Sequence, residues 1–306
     1  MNDFHSGFAA IIGRPNVGKS TLMNLLTGAK ISIVSSKPQT TRNKIRGILT
    51  RENYQIIFID TPGMRAPSNK LGAFMLKSAE TAMRDVDVLL WITALHQQRG
   101  VSIPGGDRVI LEKLRRARAD TPVFLILNKI DLVEKPEILR IIDAYRGLYD
   151  FAGIIPISAL KAENTDDLLD AVKQKLPPGP LYFQGDMMTD QPERQIAAEI
   201  IREKALRFLR EEVPHGVAVE IISMKKRAGQ ELVDLEATIY CEKSSHKGII
   251  IGKNGEGLKK IGAAARLDTQ RLLGSPVYLQ LWVKVKKNWR DSDYDLKNFG
   301  YGPKQV

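Results

Sequence analysis

Short apolar runs recur through the first half of the chain, at Phe8–Ile12, Ile56–Ile59, Val86–Ile92, Val123–Leu127 and Ile154–Ile157. Each is nearly continuous in Val, Ile, Leu or Phe, and helix-like stretches separate several of them. Strands covered by helices on both faces read this way, so the pattern predicts an α/β domain with a mostly parallel sheet. The pattern breaks at Leu176-Pro177-Pro178-Gly179-Pro180, which stops a helix beginning near Asp166 and marks a domain boundary. Beyond it the periodicity changes. Thr189–Glu193 reads as a helix start, and Ile201, Ala205, Phe208 and Leu209 then share one helical face until Pro214 and Gly216. Val217–Ile222 and Leu232–Tyr240 read as strands joined by the basic turn Lys225-Lys226-Arg227. Leu258, Ile261, Gly262, Ala265 and Leu272 mark a later helix, and Val277–Lys286 alternates with its odd positions apolar. The expected organisation is a domain over 1–178, a linker over 179–190 and a smaller α+β domain with a C-terminal tail over 191–306.

Length and composition agree with two soluble domains: 306 residues, 43% hydrophobic and 26% charged. The charge is the distinctive feature. A formal net charge of +11 favours an anionic partner, either nucleic acid or an anionic membrane surface. The single cysteine, Cys241, excludes an intramolecular disulfide and reads as a buried small side chain. His5, His96, His215 and His246 are scattered without zinc spacing. There is no basic-then-apolar leader, and no apolar run approaches the ~18 residues of a membrane span. A cytoplasmic protein is expected. Leu181–Gly185 resembles a protease-cleavage scar, but Gly179 stands where such a site needs glutamate, so the stretch is read as native.

Candidate chemistry begins at Gly13-Arg14-Pro15-Asn16-Val17-Gly18-Lys19-Ser20-Thr21, which fits G-x-x-x-x-G-K-[ST] between a strand and a helix. Backbone N–H groups of such a loop point at nucleotide phosphates, Lys19 supplies positive charge, and the Ser20 hydroxyl can ligate Mg2+. The next strand end carries Asp60-Thr61-Pro62-Gly63, where Asp60 suits a second Mg2+ anchor and the Gly63 amide can approach a γ-phosphate. A third carries Asn128-Lys129-Ile130-Asp131. Guanine offers N1–H and its 2-amino group together, and the Asp131 carboxylate can accept both; adenine would leave that charge unpaired. Asn128 and Lys129 would tie this loop to the phosphate loop. Ser158-Ala159 ends the last strand, where small residues let backbone N–H groups reach the guanine O6. Between the first two signals, Lys37–Asn43 offers Thr40 and Thr41 as a Mg2+ ligand in a switch loop.

This ordered set resembles the translation-factor-related branch of P-loop GTPases. The resemblance implies that Thr41, before Arg42, is the Mg2+ ligand with Ser20 and Asp60. It also implies that Gly13 to Thr21, Asp60 to Met64, Asn128 to Asp131, Ser158 and Ala159 form the GTP site. Met64 stands where many such enzymes carry a water-orienting glutamine. Relatives with asparagine at the Asn16 position use it to hold K+ in place of an arginine finger. Asn16, Lys19, Thr41 and Gly63 are therefore the expected catalytic group, with slow, K+-stimulated hydrolysis.

In the second domain, Gly252-Lys253-Asn254-Gly255 follows an apolar stretch and precedes a helix. The helix–strand–strand–helix–helix–strand order resembles a type II KH domain, whose G-x-x-G loop clamps a single-stranded backbone. From Lys247 to Arg290, ten lysines and arginines face only Glu256 and Asp268, a net +8. Lys247, Gly252, Lys253, Asn254, Gly255, Lys259, Lys260, Lys284 and Lys286 are the expected RNA-binding residues. With Gln39-Thr40-Thr41-Arg42, Asp60-Thr61-Pro62-Gly63 and Leu281–Lys286 followed by Trp289, nearly the whole chain resembles the Era-like family of ribosome-assembly GTPases. That resemblance implies binding to small-subunit ribosomal RNA near its 3′ end, a role in maturation of the 30S subunit and some peripheral membrane association; a monomer is expected. A GTPase that modifies tRNA or acts on another RNA would need a catalytic cysteine or cofactor site beyond the switch domain, and none is visible. A nucleotide-gated membrane-surface protein using its basic tail is the other alternative.

Overall fold

A computed structural model describes residues 4–37, 39–95, 103–116 and 120–302. Pro38, within the threonine-bearing interval, and His96 lie outside them. The chain divides into two compact units.

The first unit is a six-stranded sheet in the order β2-β3-β1-β4-β5-β6. Its strands are β1 (His5–Gly13), β2 (Ile45–Thr50), β3 (Tyr54–Asp60), β4 (Val88–Ala94), β5 (Val123–Asn128) and β6 (Gly153–Ile157). All neighbours run parallel except β2, which pairs antiparallel with β3. This edge strand has no counterpart in the apolar runs, because Arg46 and Gly47 interrupt Ile45-Arg46-Gly47-Ile48. Alternate β1 residues enter opposite cores. Ala9 and Ile11 pack with Leu22 and Met23 of α1 (Lys19–Thr27) and with Leu168 and Val172 of α5 (Thr165–Lys173). Ala10 and Ile12 pack with Ala79 of α2 (Lys70–Ala82), Ile110 of α3 (Gly105–Arg116) and Ile141 of α4 (Lys135–Arg146). With both faces covered, the strands must be apolar throughout, and polar residues are left for the strand ends.

Residues 179–190 are strapped along the outer strands of this unit. Gln55 exchanges two hydrogen bonds with the Phe183 backbone, at 2.9 and 3.0 Å, and the Ile48 N–H donates to the Met188 carbonyl at 2.8 Å. The Tyr182 ring lies 5.4 Å from that of Phe8.

The second unit contains α6 (Glu193–Phe208), β7 (Ala218–Lys226), β8 (Val233–Cys241), α7 (Ser244–Ile251), α8 (Glu256–Leu273) and β9 (Val277–Val285). Its sheet runs β7-β8-β9, antiparallel then parallel. Ile200, Ile201 and Ala205 of α6 meet Ile261 and Ala265 of α8 over Leu235, Ala237 and Ile239. Cys241 is fully buried, and burial pushes its thiol pKa up. Phe208, expected on the apolar face of α6, is instead 43% exposed, because it is the last helical residue and Leu209 takes the buried position. The tail folds back through α9 (Asp293–Asn298). Trp289 is fully buried, donates from Nε1 to the Gly216 carbonyl at 2.9 Å, and meets the rings of Phe299 and Tyr301. Segments 33–40 and 67–74 also belong to this unit. There the Val34 N–H donates to Glu203, Lys37 donates to the Leu209 carbonyl, and Arg202 donates to the carbonyls of Gln39 and Thr40. Among the described residues, no helix is long and apolar enough to cross a membrane.

Candidate functional site

The phosphate loop turns between the end of β1 and the first residue of α1, Lys19. Asn16 and Gly18 both adopt positive φ, +64° and +106°. At Gly18 a side chain is excluded as well as strained: a Cβ would sit 2.2 Å from Asn128 Nδ2. Lys19 is buried, and its ammonium donates to the carbonyls of Gly13 (3.2 Å) and Arg14 (2.8 Å). Burial lowers its pKa to about 8, against the attraction of Asp60. Val17 is wholly buried in the core, so this residue offers only its backbone. The Arg14 guanidinium likewise turns away from the loop, donating to Asp107 at 2.8 Å and to Thr93 at 3.2 Å.

Asp60 collects hydroxyls at the end of β3. Ser20 Oγ donates to its Oδ2 at 2.6 Å, Ser32 Oγ at 2.9 Å and Thr41 Oγ1 at 3.3 Å. Ser20 Oγ and Thr41 Oγ1 are 2.9 Å apart. Thr40 faces elsewhere, donating to the Lys37 carbonyl at 2.6 Å. Ser32 lies in a polar stretch without motif, so nothing in the sequence singles it out; its backbone N–H is held by Asn24 Oδ1 at 2.8 Å. Burial raises the Asp60 pKa, while Lys19 and the three hydroxyls oppose that shift. Asp60 Oδ1 is buried without a hydrogen-bond partner. A carboxylate oxygen so placed, beside two converging hydroxyls, fits a hard divalent cation such as Mg2+.

The loop after Asp60 approaches the phosphate loop. A Cβ on Gly63 would lie 2.9 Å from the Pro15 nitrogen, so only glycine permits this approach. The Met64 N–H donates to the Gly13 carbonyl at 3.2 Å, and its side chain is buried in the apolar core. Thr61 donates to the Ile11 carbonyl at 2.8 Å. Met64 and Thr61 therefore brace the loop and do not present their side chains at its rim.

The base-side loop is tied to the same place. Asn128 Nδ2 donates to the Val17 carbonyl at 2.7 Å, and Lys129 Nζ donates to the Asn16 carbonyl at 3.0 Å. Asn128 Oδ1 accepts from the Ala159 N–H at 3.0 Å. Ser158 has a role beyond small size: its Oγ donates to Asp131 Oδ1 at 2.6 Å and so aims that carboxylate. Ile130 begins a 3-10 turn to Leu132 that presents Asp131.

In the second unit, α7 ends at Ile251 and α8 starts at Glu256, with Gly252, Asn254 and Gly255 all at positive φ. Lys247, Lys253, Asn254, Lys259 and Lys260 are exposed. Lys284 and Lys286 do not share their surface. Odd β9 residues such as Val277 and Val283 pack on the α8 core, so the even positions Tyr278, Trp282 and Lys284 point to the opposite sheet face. Glu236 and Asp234 pair with Gln280 and Tyr278 there, so that face is mixed in charge. Lys286 is ion-paired with Asp295 at 2.6 Å.

Comparison with known proteins follows the same two-part layout. Residues 8–129 match the family described as 50S ribosome-binding GTPase, and residues 212–290 match the KH domain. GTPase Era of Ruminiclostridium cellulolyticum is 54% identical over 298 residues, covering 97% of this chain and 98% of its own. GTPase Era of Clostridioides difficile is 54% identical over 302 residues, covering 98% and 100%. A variant of Aquifex aeolicus Era bound to GDP·AlF4− superposes with a TM-score of 0.92 at 38% identity, covering 98% of this chain and 100% of that one. Era in complex with MgGDPNP and nucleotides 1506–1542 of 16S ribosomal RNA gives a TM-score of 0.92 at 39% identity, covering 98% and 99%.

Proposed function

The chain belongs to the Era family of GTPases, and we propose that it binds small-subunit ribosomal RNA near the 3′ end under control of its bound guanine nucleotide, serving 30S assembly. Asp131, aimed by Ser158 on a loop tied to the phosphate loop by Asn128 and Lys129, is the observation that carries the guanine assignment. The complex of a relative with MgGDPNP and 16S ribosomal RNA supports the RNA assignment. The functional division is 1–178 for GTP, 179–190 as connector and 191–306 for RNA.

In this reading Ser20, Thr41 and Asp60 hold Mg2+, which when bound offsets phosphate negative charge. The amides of Gly13 to Ser20 receive the phosphates, and Lys19 exchanges its two carbonyl partners for phosphate oxygens. The Gly63 amide meets the γ-phosphate. Asp131 accepts the guanine N1–H and 2-amino group, and the Ala159 loop faces O6. Asn16 holds K+ where the buried Met64 cannot orient water. Gly252–Gly255 clamps the RNA backbone, with Lys247, Lys253, Lys259 and Lys260 neutralising phosphates. Lys284 and Lys286 serve a separate surface.

Crosslinking the protein to total cellular RNA and sequencing the bound fragments tests the assignment. Enrichment of the 3′ region of small-subunit RNA supports it; a different, reproducible RNA target sinks it. The same reading makes the protein a cytoplasmic monomer that meets membranes only peripherally. Sedimentation with anionic vesicles in the absence of RNA measures that property separately.

A further inference from the structure

We propose that Asp107 is a positioning residue for GTP hydrolysis, acting through Arg14 to fix the first limb of the phosphate loop. The inference rests on the GTPase reading above. Asp107 lies in the first turn of α3 and is wholly buried. It accepts from three donors on three other elements: Arg14 Nε, Thr93 Oγ1 and Tyr145 OH, each at 2.8 Å. Arg14 Nη2 also reaches Thr93 Oγ1, closing the cluster. The arginine stem lies flat on the start of α3. A Cβ on Gly106 would sit 2.6 Å from Arg14 Cδ, so this approach depends on glycine.

Two features of the site hang on the Arg14 backbone. Its carbonyl accepts from Lys19 Nζ at 2.8 Å and releases that ammonium to a phosphate when nucleotide binds. The next residue, Pro15, is the one against which Gly63 packs. A charge-assisted bond from a buried carboxylate to Arg14 therefore sets where Pro15 presents its backbone to the loop that senses the γ-phosphate. Ground-state nucleotide binding draws on many other donors, including the loop amides, Lys19 and Asp131. The approach of Gly63 to a γ-phosphate has no such redundancy. Loss of the anchor thus falls on turnover more than on affinity. A cluster that merely stapled α3 to the sheet would instead change stability, and change affinity and turnover together.

The test measures kcat and KM for GTP, affinity for a fluorescent GDP analogue, and melting temperature in the full chain. Asp107→Asn keeps the shape but turns an amide toward donors. Arg14→Met removes the guanidinium and leaves Asp107 its two hydroxyl partners. Each is expected to lower kcat by about tenfold or more, since sub-ångström misplacement costs turnover steeply. GDP affinity should stay within about threefold, and the double variant should be no worse than the weaker single one, as for residues acting through one bond. Unchanged kcat in Arg14→Met would overturn the proposal, as would losses of kcat and GDP affinity in equal proportion. If Asp107→Asn does not fold, Arg14→Met alone decides. A wild-type chain that does not hydrolyse GTP would strike at the GTPase reading instead, which keeps the two failures distinguishable.

Discussion

Asn128 donates from Nδ2 to the carbonyl of Val17 at 2.7 Å, across 111 residues of sequence, and accepts the Ala159 N–H on its Oδ1. One side-chain amide thereby sets the spacing between the phosphate loop, the base-side loop and the loop after β6. Asn128→Ala leaves a buried carbonyl and a buried N–H unpaired, at about 1–3 kcal/mol each. Affinity for GTP and GDP should fall together by about tenfold or more in fluorescent-nucleotide titration. A variant that loses GTP but keeps GDP would show that Asn128 acts on the γ-phosphate side instead.

Asp131→Asn should exchange guanine for xanthine. The new amide can donate to the xanthine 2-oxo group, while guanine would meet donor against donor. The shift in preference should be about tenfold or more, as for hydrogen bonds to a charged group, Asp131 being exposed in the free chain. Competition between GTP and XTP reads it directly. Ser158→Ala should weaken guanine binding by much less, since it leaves the Asp131 carboxylate in place and removes the 2.6 Å hydrogen bond that aims it, together with the acceptor of the Lys161 N–H.

Hydrolysis should run faster in KCl than in equimolar NaCl, and Asn16→Ala should erase the difference. Met64 is buried in the core, so no glutamine-like group stands in its place. Asn16 sits in the left-handed region with its carbonyl bonded to Lys129. Equal wild-type turnover in the two salts would remove the K+ role.

Trp289→Ala should destabilise the second unit by about 3–5 kcal/mol, the cost typical of emptying a buried aromatic site. The indole is wholly buried and bonded to Gly216 at 2.9 Å. Urea unfolding followed by hydrogen exchange can assign the loss to residues 191–302. Nucleotide affinity should be unchanged; a matching loss of it would mean that the two units do not unfold separately.

The sheet was legible because strands covered on both faces must be apolar, and the phosphate and base-side loops because their chemistry demands fixed residue types at strand ends. Strand β2 was not, because an edge strand tolerates Arg46 and Gly47. Ser32 was not, because a serine without a motif carries no signal until Asp60 is beside it. Arg14, Thr93, Asp107 and Tyr145 are drawn together from four elements, and nothing local to any of them announces the cluster. The opposite facing of Lys259 and Lys284 came from strand alternation combined with helix packing, which needs both elements in place. The tail that buries Trp289 is too short to show a period.

In the proposed function, guanine nucleotide gates RNA binding. Thr41 stands in the Asp60 cluster of the first unit, while the carbonyl of its neighbour Thr40 is held by Arg202 in the second. The decisive measurement is the affinity for a single-stranded RNA matching the 3′ end of small-subunit ribosomal RNA, titrated with Mg2+ and either a non-hydrolysable GTP analogue or GDP. Tighter binding with the analogue is expected, with steep salt dependence and loss in Lys253→Asp/Asn254→Asp. Identical affinities in the two nucleotide states would contradict gating.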